Sequence, residues 1–204
     1  MPALLAALAL VLAAHATPPT VTLVLCDVGG RSRFDGPALR REVETLLSGA
    51  GLVVRWREVQ AGTGFDSHPD EMLVVLLPSE MRNPARERVL GLVIGDHRFP
   101  SPIWVSVPNV RFLLGVSPTD EGRAGVLSTA LGRVIAHEVV HAFVPDRPHD
   151  PGGLMGRAVN RSQLTSGDGR LDEACLQAVA RALADPELRR HVSGPPVAAL
   201  TAEP

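Results

Sequence analysis

Between residues 126 and 143 the chain carries an unbroken helical pattern that contains two histidines and a glutamate, and no other stretch constrains the fold as much. Val126, Leu127, Leu131, Val134 and Ile135 recur at helical spacing, and Pro145 stops the pattern. His137 and His141 lie four apart in it, so they sit one above the other on one helix face. Val139, Val140, Ala142 and Phe143 surround them with apolar side chains, so the helix is expected to run through a core. A His-Glu-His cluster in such a place is costly to bury unless something satisfies it.

The remaining chain alternates strand-like and helix-like segments. Residues 21–26 (VTLVLC) predict a first strand. Asp27-Val28-Gly29-Gly30 breaks it, and its spacing fits a plain turn and no phosphate-binding motif. Pro37 opens a helix over residues 38–48, with Leu39, Val43, Leu46 and Leu47 on one face and Gly49 and Gly51 at its end. Residues 52–59 alternate as a second strand, and 61–70 read as a polar loop. Residues 72–77 (MLVVLL) form a continuous apolar run that suits a strand covered on both faces. Residues 89–94 and 103–107 are further strands, the latter placed at a sheet edge by Pro108. Residues 115–125 read as a linker, Gln163 as the start of a short turn, and 171–183 as a final helix. No repeat and no linker between separate cores is visible.

Composition narrows the function classes. With 204 residues, 45% of them hydrophobic, the chain can bury a core without disulfide or metal staples. Aromatics are 3% and Tyr is absent, so that core rests on Leu, Val, Ala and Ile. Every basic residue is Arg, the net charge is -2, and both signs are dispersed; with no basic stripe, nucleic acid is not an expected partner. Residues 3–14 are almost wholly apolar, short of the roughly 20 residues that span a bilayer. Ala14-His15-Ala16 supplies small residues at a cleavage position, so residues 1–16 predict a signal peptide and a secreted or periplasmic protein; a buried N-terminal helix is the alternative. No second long apolar run follows, so no stable membrane insertion is expected after cleavage. Cys26 and Cys175 match no metal or redox spacing; they read either as a disulfide or as two buried thiols, one in a strand and one in a helix. Residues 193–204 are expected to form a flexible tail.

Two imidazoles stacked on one helix face can grip one zinc ion, and Glu138, on the same turn, can reach water held there without ligating the metal. The ion lowers the pKa of its water and polarises a carbonyl, while Glu138 serves as general base. A catalytic zinc takes three protein ligands and keeps one position open. His149 is the first candidate for the third, because residues 142–148 contain two prolines and must turn sharply. Asp146, Asp150 and Glu173 are rivals, since carboxylates also bind zinc. Asp150 reads rather as a residue that orients His149 or caps the turn, and Glu173 also reads as an exposed residue near a helix start. Met155, set among Gly152, Gly153 and Gly156, marks a tight turn with one apolar side chain to bury. His68, His97 and His191 are isolated and read as surface or loop residues, and Trp56 and Trp104 as core or cleft wall. Ser128 and Ser162 lack a suitably spaced His or Asp, so a serine hydrolase is unsupported.

The segment HEVVHAFVPDRPHDPGGLMG resembles the active site of the metzincin zinc peptidases, over about 20 residues. In that family a third His follows the H-E-x-x-H helix, and a Met-turn lies under the metal. The resemblance implies Zn2+ held by His137, His141 and His149, with Glu138 as general base and Met155 in the Met-turn. It implies an α/β architecture (an α+β zincin-like domain over residues 17–192): a mixed sheet packed on a long active-site helix, then the Met-turn and a C-terminal helix. It implies a peptide or protein substrate, which pairs with an edge strand, here near residues 103–107. The pattern is not kept throughout. Val144 and Arg147 stand where the family has Gly and His, and the third His comes two residues late. The late spacing with its following Gly-x-Met is similar to that of small exported bacterial proteins of this clan. A Tyr-assisted site is excluded, since there is no Tyr. The readings are therefore a zinc-dependent peptidase or an exported zinc-binding protein without peptidase activity, with a chance motif in a metal-free interaction protein as a third. Glu138 favours the first, because a structural zinc site needs no base.

Overall fold

The computed structural model describes residues 18–30, 32–63, 68, 71–93, 102–150 and 152–185. The predicted signal peptide 1–16, both ends of the predicted domain 17–192, the tail 193–204, His97 and His191 lie outside these residues.

Strand β1 (Thr20–Asp27) ends in a turn organised by Asp27, whose carboxylate accepts from the Gly29 and Ser32 N–H groups and the Ser32 hydroxyl. Helix α1 (Gly36–Ser48) follows, capped by the Asp35 carboxylate at 3.1 Å from the Ala38 nitrogen, and buries Leu39, Val43 and Leu47. Then come β2 (Val53–Val59), β3 (Glu71–Leu77), β4 (Gly91–Val93) and β5 (Ile103–Ser106). The sheet order is β2-β1-β3-β5-β4, with β4 antiparallel to β5 and every other pair parallel. The central β3 has strands on both sides and five buried residues of seven, as its continuous apolar sequence requires.

The region of Pro108 corrects the sequence reading. β5 is an interior strand between β3 and β4, and the edge is β4. Val107 belongs to an unforeseen helix, α2 (Val107–Leu114), and Pro108 sits in its first turn, where no N–H is needed. Ser106 caps that helix by accepting from the Asn109 N–H. Residues 115–125 are not a plain linker either: a 3-10 turn over Glu121–Arg123 leads into the long helix α3 (Ala124–Phe143), which starts two residues earlier than expected.

Helix α3 touches α1, α2, β4 and β5, and also two C-terminal helices, α4 (Arg161–Thr165) and α5 (Glu173–Ala184). Fourteen of its twenty residues are buried, so it is a core helix enclosed nearly all round. Two polar ties set its position. The Ser128 hydroxyl accepts from the Asp35 N–H at 2.7 Å and donates to the Ala124 carbonyl. The Arg133 guanidinium, 9% exposed, donates to Glu42 of α1 at 2.7 Å and to the Gln163 and Ser166 carbonyls. Each such charged bond contributes roughly 1.5–3 kcal/mol, enough to fix how α1 and α4 meet α3. α5 begins at Glu173, two residues later than expected, because the Asp172 carboxylate caps the Cys175 N–H. Cys26 of β1 and Cys175 of α5 are both free thiols. No helix among the described residues is long and apolar enough to cross a membrane.

Candidate metal centre

The helix supplies half of the site. His137 and His141 project from one face of α3, with ring centroids 4.7 Å apart. His137 is nearly enclosed, and its Nδ1 lies 2.7 Å from the Leu154 carbonyl oxygen. A carbonyl only accepts, so Nδ1 carries the proton and donates, leaving a bare lone pair on Nε2. That Nε2 lies 3.1 Å from Nε2 of His141.

The downstream segment supplies the other half. It turns at Pro145, and Arg147 then clamps it, donating to Asp150 at 2.9 Å and to Asp172 at 3.4 Å. This brings His149 to the pair, with ring centroids 4.9 Å from His141 and 5.6 Å from His137. One ligand atom from each of the three imidazoles lies within 4.8 Å of the others. Below them the chain doubles back. The Asp150 N–H donates to the Met155 carbonyl, Gln163 donates to that of Gly153, and Gly153 takes φ +67°. Leu154 is 0% and Met155 1% exposed. Burying two such side chains stabilises the turn by roughly 1.5–3 kcal/mol each, against about 1 kcal/mol per hydrogen bond, so packing anchors it.

The other suggested ligands stand elsewhere. Glu173 is exposed in the first turn of α5 and accepts from Gln177. Asp146 is exposed and outside the three-imidazole group. Asp150 spends its carboxylate on Arg147. Trp56, on the far edge strand, donates to Glu44, and neither it nor Trp104 lines the cleft.

Burial governs the electrostatics. It holds the His137 and His141 rings below the usual imidazole range, His141 down to about 4, with neighbouring His137, His149 and Arg147 adding to the burial effect at His141. Both rings are therefore neutral at pH 7, as metal ligands must be. The donor chemistry suits zinc: three imidazoles favour it over oxygen-seeking calcium or magnesium. Tetrahedral Zn–N bonds of about 2.05 Å would separate ligand nitrogens by about 3.3 Å, near the spacing of the two helix Nε2 atoms. Glu138 is 7% exposed, and burial pushes its carboxyl up to about 8. Among the described residues no donor reaches that carboxyl. It lies under Gly91 of β4, where an added Cβ would stand 2.6 Å from Oε1 and 2.8 Å from Val134. Only glycine lets the edge strand approach so closely.

These groups form the floor of a cleft of about 900 Å³. It is lined by residues of the segment 82–93, by Phe112 and Leu113 of α2, and by residues from Pro145 through Leu154, Arg157 and Val159 to Leu183. Three features escaped the sequence reading: the Leu154 carbonyl, the Gly91 approach and the Arg147 clamp. None has a local sequence signal. Helix α2 had one, because Ser106-Val107-Pro108-Asn109 is a helix start with a capping Ser and an early Pro.

No protein-family model matches the chain, and no curated protein matches it by sequence. Solved structures do match. Archaemetzincin from Methanopyrus kandleri superposes with a TM-score of 0.55 at 14% identity, over 81% of this chain and 97% of that one. A zinc-dependent peptidase from Methanocorpusculum labreanum gives 0.52 at 17% identity, over 77% and 99%. Metalloproteinase-II from Bacteroides fragilis gives 0.51 at 9% identity, over 81% of this chain and 53% of that one. At these identities the likeness establishes architecture: the chain has the α/β fold of these three proteins, a mixed five-stranded sheet packed on a long helix.

Proposed function

We propose that the chain is a zinc-dependent peptidase of metzincin character, with His137, His141 and His149 as metal ligands and Glu138 as general base. The observation that carries this reading is the convergence of three imidazoles on one point beside Glu138, at the floor of an open cleft. The fold likeness to zinc-dependent peptidases supports it.

A bound zinc ion supplies Lewis acidity, polarising the substrate carbonyl and acidifying water. The protein's own groups do the rest. His137 is locked in one tautomer by the Leu154 carbonyl, so its Nε2 lone pair always faces His141. Glu138 must be ionised to take a proton. Burial opposes this by about 5 kcal/mol, the equivalent of moving its carboxyl from 4.5 to about 8. A cation held by His137, His141 and His149 would favour the charged form of the neighbouring Glu138 and so oppose that burial effect. Glu138 then accepts the proton of the attacking water on a carboxylate oxygen and passes it to the leaving amine. The Gly91 backbone limits where that carboxylate can sit.

The deciding experiment loads the purified protein with zinc, measures metal per chain, and follows cleavage of a mixed peptide library with and without chelator. About one zinc per chain and chelator-sensitive cleavage are expected. Bound zinc with no cleavage in either arm would favour the non-catalytic zinc-binding protein. The apolar segment 1–16 supports export, and mass spectrometry of the mature N-terminus tests it: a chain beginning at Thr17 is expected.

A further inference from the structure

The chain carries a net charge of -2, yet the cleft is lined by five arginines and only two glutamates. Three of the arginines, Arg82, Arg86 and Arg88, stand on one hairpin that lines the cleft. Its arms are joined by the Val89 N–H to the Met81 carbonyl and by a bridge between Arg82 and Arg88. The hairpin is fixed at its base by two buried residues. The Asn109 amide donates to the Met81 and Val89 carbonyls at 2.7 and 2.8 Å, and the Ser106 hydroxyl donates to the Ser79 carbonyl at 2.8 Å. The hairpin is thus a held surface.

The charges differ in how far they are already used. Arg147 is committed to Asp150 and Asp172. Arg82 holds Glu80 at 2.8 Å, and Arg88 shares the same carboxylate at 3.4 Å while lying 3.6 Å over the centre of the exposed Phe112 ring. Neither the Arg86 side chain nor Arg157, which lines the cleft just past the turn, meets a carboxylate among the described residues. Of the lining acids, Glu87 is bonded to Asn83 and Glu138 lies at the floor. Arg86 and Arg157 are therefore the lining cations without a carboxylate partner among the described residues, and Arg88 has only a half share in one.

We infer that the cleft selects peptides bearing Asp or Glu side chains near the bond presented to the metal centre, gripped by Arg86 and Arg88 from the hairpin and by Arg157 from the segment after the turn. This rests on the peptidase reading for its substrate type.

The test uses zinc-loaded full chain carrying Glu138→Gln, so that bound peptide persists, and two peptides identical except that Glu in one is Gln in the other. Calorimetry should show the Glu peptide binding about tenfold more tightly, as two partly exposed ion pairs provide. The preference should shrink toward unity at about 0.5 M salt and in the double variant Arg86→Asn, Arg157→Ala. Asn is chosen at position 86 because Arg86 takes φ 64°, which Asn tolerates; an unchanged melting temperature confirms the fold. Equal affinity for the two peptides, or binding of neither, overturns the inference. So does a preference that survives in the double variant, which would place the carboxylates on the metal. Cleavage by the unmodified protein is scored separately. Acid preference without cleavage removes the peptidase reading alone, and cleavage without preference removes the acid selectivity alone.

Discussion

The helix-borne and loop-borne halves of the site are built on different principles. His137, Glu138 and His141 are set by one continuous α-helix, in which a spacing of four residues fixes their mutual geometry. His149 arrives on an irregular segment, is exposed, and owes its position to the Arg147 clamp and to the buried Leu154-Met155 turn. The first half resists displacement because moving it means repacking α3. In the second half the turn is anchored by the burial of Leu154 and Met155, while the exposed His149 itself is tied through the hydrogen bonds of the Arg147 clamp.

This contrast can be broken or sharpened by experiment. The largest effect is expected from Glu138→Gln in the helix half: kcat should fall about 10³-fold while zinc content stays near one per chain, measured by steady-state kinetics and metal analysis. A smaller loss would show that the base is elsewhere.

Next comes the pH dependence of the metal-free protein. A carboxyl raised to about 8 in the fold contributes no penalty below its unfolded value of 4.5 and an increasing one as pH rises toward 8. His141, lowered to about 4, acts in the opposite direction, destabilising the fold as pH falls from 6.5 toward 4, by a smaller amount because the ring is partly exposed. In denaturant melts the metal-free chain should therefore be most stable near pH 5. Glu138→Gln should raise stability at pH 8 by about 4 kcal/mol while leaving pH 4.5 nearly unchanged. A flat difference across this range contradicts the burial argument.

Ligand truncation compares the halves directly. His137→Ala should weaken zinc about 10²-fold or more, because it also leaves the Leu154 carbonyl without its donor, and His149→Ala about tenfold, because water can enter an exposed position. Competition with a chromogenic chelator reads both, and equal losses would erase the distinction. The mildest change is Arg147→Leu, which releases the clamp without touching a ligand. Zinc affinity should drop by about tenfold or less, with helix content by circular dichroism unchanged.

Much of the arrangement is legible in the residues. The helical repeat around His137 and His141, the Pro145 stop, the Asp35-Gly36-Pro37 helix start and the apolar run of β3 each act over a few residues, where local geometry and burial leave few alternatives. Reading Pro108 as an edge marker failed because the same residue suits a helix's first turn, and the preceding Ser106 decides between the two. The choice among His149, Asp146, Asp150 and Glu173 stayed open because each is a sound zinc ligand in isolation.

The sequence by itself determined that one buried helix carries two imidazoles and a carboxyl on adjoining positions, because helical periodicity converts spacing into geometry. Only the tertiary structure decided which downstream residue meets them. That depends on Arg147 drawing Asp150 and Asp172 together, on Leu154 offering its carbonyl to His137, and on Gly91 lying over Glu138. These contacts join residues between 3 and 47 positions apart. Except for the shortest, no local rule of spacing reaches that far, so the packing of separate elements fixes them.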